Sequence, residues 1–105
     1  MNTGKEPSQK GPRILLLHLK RKWWEQKRDG IMLVELRLAN AYWAKRLEGR
    51  EYDEVHLVVG YPKDGDTSTL LRFAWRGADR TTITHEEFGP APVEVFAIHL
   101  TERLQ

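Results

Sequence analysis

The chain has 105 residues, enough for one domain with a single core, and no cysteine, which excludes disulfides and thiolate metal sites. Its formal net charge of +2 hides a division: residues 1–50 carry 12 Lys/Arg against 5 Asp/Glu, whereas residues 51–105 carry 5 against 10. No apolar run approaches the roughly 20 residues of a membrane-spanning helix, and the polar N-terminus has no signal-peptide core, so a soluble, cytoplasmic protein that does not engage a membrane is expected.

Residues 1–12 (MNTGKEPSQKGP) offer almost nothing to bury and are expected to form a disordered tail before one domain at 13–105. From Arg13, ILLLHLK predicts a first strand whose near-continuous apolar run argues burial on both faces and a central place. KRKWWEQKRD (20–29) lacks Gly and Pro and predicts a helix with Leu19, Trp23 and Lys27 along one face and Lys20, Trp24 and Arg28 along the next. One tryptophan should enter the core and the other stay half exposed. Gly30 stops that helix, and the apolar run from Ile31 to Leu38 predicts a second strand. Set into it, Glu35 and Arg37 are two residues apart and share a face, which places a carboxylate beside a guanidinium on a rigid element. Such a pair is either a structural ion pair or a recognition device.

Asn40 suits the N-cap of a short helix, Tyr42 to Glu48, that buries Trp43 and Leu47, turns Lys45 and Arg46 outward and ends at Gly49. Asp53 to Tyr61 and Thr69 to Gly77 read as a hairpin about the PKDGD turn at 62–66, with Val55, Leu57 and Val59 inward and Leu71, Phe73 and Trp75 on one face. A polar β segment at 80–84, an irregular or short helical connection at 85–92 and a last strand at 93–100 complete the chain. Several strands with two short helices inserted early predict an α+β fold, a small mixed barrel of five to six strands with the helices flanking it.

The order HLK at 18–20, Gly30, the Glu-x-Arg strand, YWAKRL at 42–47, VVGYP at 58–62, WRG at 75–77, THEEFGP at 84–90 and PVEVFAI at 92–98 resembles the ASCH family. The resemblance covers residues 13–101 and implies a small β-barrel related to the PUA fold. The family pattern Gly-x-Lys-x-x-Glu-x-Arg is matched by Gly30, Glu35 and Arg37, while Met32 stands where the lysine belongs. Lys27 stands where related helices carry an apolar residue, and Ile31 where a polar one is common. Some small ASCH proteins remove the acyl group from N4-acetylcytidine using that lysine and a threonine at the position of Glu35; a methionine neither gives nor takes a proton, so that chemistry lacks its main group here.

What the resemblance still implies is a cleft between barrel and helices that takes RNA, another single-stranded nucleic acid or a modified nucleoside. The matched residues are Lys20, Glu35 and Arg37, with Tyr42, Lys45, Arg46 and Tyr61 as further candidates. Arg37 is suited to a phosphate or a base edge, Glu35 to orienting it or accepting from an exocyclic amine, and an exposed tyrosine to stacking. No catalytic residue is assigned. His18, His56, His85 and His99 stand singly without metal-ligand spacing, so neither a metal nor a cofactor is expected, and the protein is expected to be a monomer. The alternatives are an enzyme, either a single-strand ribonuclease using two histidines or an amidohydrolase with a relocated base, and a protein-interaction module using an exposed tryptophan.

Overall fold

The computed structural model describes residues 11–105, so the expected tail at 1–12 lies, except for Gly11 and Pro12, outside the described residues. Six strands and two helices follow in the order β1 (Ile14–Leu19), α1 (Arg21–Arg28), β2 (Val34–Leu38), α2 (Ala41–Leu47), β3 (Glu54–Val59), β4 (Leu71–Ala74), β5 (Ala78–Ile83) and β6 (Val93–His99), with a 3-10 turn at Glu86–Phe88. They form two three-stranded sheets, β1-β3-β4 and β2-β6-β5. β1 runs parallel to β3, Leu17 opposite Leu57, which is possible because the chain between them is long enough for a crossover; every other pairing is antiparallel.

The core fills the space between the sheets. Leu15, Leu17 and Leu19 of β1, Val55 and Leu57 of β3, Leu71 and Phe73 of β4, and Phe96 and Ile98 of β6 meet there, with Trp24 of α1 and Leu47 of α2 closing the ends. The period-2 pattern of β3 thus holds for Val55 and Leu57, while Val59 is only partly buried and Val58 is buried outside that cluster. Trp24 is the buried tryptophan of α1 and donates its indole N–H to the Thr69 carbonyl at 2.7 Å; Trp23 is half exposed. No helix among the described residues is long and apolar enough to cross a membrane.

Expectations for two strands need correction. Among the described residues β1 is not central: it is the edge of its sheet, and β3 holds the middle. Nor is it buried on both faces, since Ile14 and Leu16 are 40% and 49% exposed. A run of leucines carries no alternation from which a one-sided strand is recognised. The second strand is also shorter than 31–38, because Ile31 and Met32 donate their N–H groups back to the Gln26 carbonyl to finish α1. Gly30, at φ +73°, makes that reversal in a conformation L-residues rarely adopt.

The sheets do not close into a barrel. On one side they are stitched by the chain after β6, where Ala74 donates to the Glu102 carbonyl, Arg72 donates to the Gln105 carbonyl and Leu104 donates back to the Arg72 carbonyl. On the other side β1 and β2 form no ladder. Among the described residues one side-chain hydrogen bond joins β1 to β2 across that seam: Arg37 Nη2 donates to the His18 carbonyl at 3.0 Å. The candidate site lies in this opening.

Candidate functional site

A cleft of about 300 Å³ opens along the seam, bordered by the end of β1, the inner face of α1, β2, Trp43 of α2 and the 3-10 turn. At its base lies Glu35, 7% exposed, between two cations. Arg37 reaches it from the same strand, Nε and Nη2 on Oε2 at 2.9 and 2.7 Å. Lys27 reaches it from α1, Nζ to Oε1 at 3.0 Å. Lys27 and Glu35 are the charged residues buried among those described, and each is supported by its element: Lys27 lies in the last turn of α1, where unsatisfied carbonyls favour a cation, and β2 fixes Glu35 by pairing it with Ile98. Trp43 lies under the Arg37 guanidinium, 4.9 Å from ring centroid to Cζ.

The cation–carboxylate–cation chain carries one excess positive charge. An ammonium has three N–H donors, and Glu35 is the ionic partner of Lys27 among the described residues. Lys27 also borders the cleft, so its remaining donors have the cleft as their outlet. Met32 borders it too, on the opposite side of Gly30 in sequence. Lys27 and Met32, five residues apart, thus line one cleft from the helix and from beyond its glycine turn.

The roof is acidic. Glu87 accepts from Lys20 Nζ at 2.9 Å and from the Trp23 indole at 3.1 Å, and these two donors hold its carboxyl below the usual carboxylate range. Glu86 is held low in the same direction by Lys22 at 2.9 Å. His85 caps the 3-10 turn: its Nδ1 accepts from the Glu87 N–H at 3.1 Å, so Nε2 carries the ring proton. His18 has the opposite tautomer. Its Nδ1 lies 2.7 Å from the Gly60 carbonyl, which can only accept, so Nδ1 carries a proton and in the neutral ring the lone pair is on Nε2.

Of the residues expected from the sequence, Lys20, Glu35 and Arg37 border this cleft together. Tyr42, Arg46 and Tyr61 do not; they border a second groove of about 400 Å³, with β1 and α2 along it, which shares His18, Arg37 and Trp43 with the first. Lys45 is exposed and borders neither. Comparison with family models, with curated proteins and with solved structures finds no match. The site therefore rests on its own geometry.

Sequence reasoning missed Lys27, Trp23, His18, His85 and Glu87 as cleft residues. Lys27 had a signal. A lysine one turn beyond Trp23 on the same helix face, with a glutamate in a nearby apolar strand, is a buried charge in need of a partner. His85 and Glu87 had none, because the turn that carries them meets α1 across more than sixty residues of chain, Lys22 to Glu86 being 64 apart.

Proposed function

We propose that this domain binds single-stranded RNA, or a chemically similar nucleic acid, by taking a nucleotide into the cleft over Lys27, Glu35 and Arg37. The observation that carries the reading is the Lys27 ammonium, buried and with donors to spare, beside a guanidinium that is itself fixed by Glu35 and the His18 carbonyl. Buried donors facing an opening favour a ligand with anionic or carbonyl oxygens, and the flanking Trp23 and Trp43 offer flat surfaces to a base. Glu35 holds both cations in place and can accept from an exocyclic amine at its remaining lone pairs. Lys20, at the rim, suits a phosphate.

The same arrangement supports reading the fold as an ASCH-like, PUA-related barrel left open along the β1–β2 seam. In that reading Lys27 substitutes for the family lysine, and the reciprocal departures at 27 and 32 are one exchange. The test is a titration of a short mixed-sequence single-stranded RNA followed by backbone amide and indole NMR at low and moderate salt. Shifts should concentrate on Lys20, Trp23, Glu35 and Arg37. The logarithm of affinity should fall against log salt with a slope of about 0.7 per phosphate contacted. No shift at millimolar RNA sinks the proposal.

A second reading, RNA cleavage, is favoured by one specific feature. His18 and His85 both border the cleft with complementary tautomers, a free Nε2 lone pair on one and an Nε2–H on the other. In that reaction a 2′-hydroxyl, deprotonated by neutral His18 at Nε2, attacks phosphorus while the 5′-oxygen leaves with a proton from His85 as the imidazolium, a form that gives up its Nδ1 contact to the Glu87 N–H, and the product is a 2′,3′-cyclic phosphate. Incubating RNA and the matching DNA with the protein separates the readings: cleavage of RNA alone, lost in His18→Ala, makes the domain a nuclease, and intact RNA leaves it a binding module.

A further inference from the structure

We propose that the second groove is a neighbouring nucleotide subsite, so that the ligand is a strand of at least two nucleotides whose linking phosphate sits on Arg37. The inference rests on the reading of the first cleft as a nucleotide site. The two openings share His18, Arg37 and Trp43, so they adjoin, with Arg37 common to both. Arg37 spends Nε and Nη2 on Glu35 and the His18 carbonyl, and both N–H groups of Nη1 have no protein partner among the described residues. On a residue that borders both openings, these donors suit a phosphate linking two bases.

The groove itself has the chemistry of a base-stacking surface. No carboxylate among the described residues borders it, in contrast to the first cleft with Glu35 and Glu87. Arg46 has no acidic partner among the described residues and lies over the Tyr42 ring at 4.2 Å. Tyr61 is 85% exposed yet not loose: one ring face is stacked on His18, centroids 4.1 Å apart and 22° from parallel. His18 is in turn tied to the Gly60 carbonyl, so the platform is held before any ligand arrives. A preorganised aromatic with its outer face open, two arginines and no acid fit a base and its phosphate. A peptide added along β1 would use Ile14 and Leu16 instead and would have no need of Arg46.

The experiment measures the affinity of a mononucleotide and of the corresponding dinucleotide at one fixed salt, for the native chain, Tyr61→Ala and Arg46→Ala. The dinucleotide should bind about tenfold more tightly than the mononucleotide. Tyr61→Ala should remove most of that increment and leave mononucleotide affinity within about twofold, because an exposed tyrosine contributes little to folding. Arg46→Ala should act in the same direction. Equal affinity for the two ligands, or equal loss for both in Tyr61→Ala, overturns the second subsite while the first cleft stands. If neither ligand binds, the cleft reading falls and this inference falls with it.

Discussion

Lys27 and Glu35 meet at 3.0 Å, Nζ to Oε1, with both side chains buried, although one comes from the last turn of a helix and the other from a strand that begins beyond a glycine turn. Burying two charges costs several kcal/mol per ion unless geometry and further hydrogen bonds compensate, and here Arg37 adds a second cation to the same carboxylate. The trio fixes the helix to the strand at the point where the two sheets fail to join. It also leaves a cation facing the opening.

Lys27→Met should therefore destabilise the domain by about 3 kcal/mol, since it leaves Glu35 buried with half its compensation. Adding Met32→Lys should recover a large part of that loss, because position 32 borders the same cleft and its ammonium can reach Glu35 from the other side. Thermal unfolding of the two single variants and the double variant gives the coupling directly. A double variant no more stable than Lys27→Met would show that the two positions do not exchange roles.

Arg37→Lys should not be a mild change. Lysine keeps the charge but not the planar fork that reaches Glu35 and the His18 carbonyl together, so the β1–β2 seam loses the hydrogen bond that joins it. A loss of about 1–3 kcal/mol is expected, with faster amide exchange concentrated at the ends of β1 and β2. Uniform exchange across both sheets would mean that the seam is held by something other than this side chain.

Glu87 occupies Lys20 and Trp23, the rim groups that a nucleotide would use. Its pair with Lys20 is largely solvent-exposed, so Glu87→Gln should change stability by less than about 1 kcal/mol. Affinity for a short RNA should rise about three- to tenfold, since a repelling carboxylate is removed and Lys20 released. Calorimetric titration of both proteins at the same salt tests this; unchanged affinity would mean that the 3-10 turn and the ligand do not compete.

Much of the fold was legible because it rests on local patterns. Asn40 is the N-cap of α2, accepting from the Trp43 N–H at 3.0 Å, and the hairpin about PKDGD has Val55 opposite Phe73. What was not legible depends on contacts remote in sequence. The place of β1 is set by pairing with β3, forty residues on, and its leucines look the same buried or exposed. Charge is divided between a basic first half and an acidic second half. Part of it is answered inside the molecule, where Glu86 and Glu87 of the acidic half pair with Lys22 and Lys20 of the basic half. The Glu-x-Arg pair was visible at once, but its third member arrives from a helix face that sequence alone reads as core.

Away from the cleft, Glu54 supplies a pH test of the first sheet. Arg72 grips both of its oxygens at 2.9 and 2.8 Å and His56 adds a third contact at 2.8 Å, which together bring the Glu54 carboxyl from 4.5 down to about 2. A carboxylate whose folded pKa is depressed favours the folded state at every pH above its unfolded value, and that contribution fades as pH falls from about 4.5 through about 2. Urea unfolding between pH 7 and pH 2 should show the native chain losing stability across that window. Glu54→Gln should begin less stable at pH 7 and lose less on acidification, so that the two curves converge toward pH 2. Curves that run parallel throughout would place the acid sensitivity elsewhere, in Glu86 and Glu87 over the cleft.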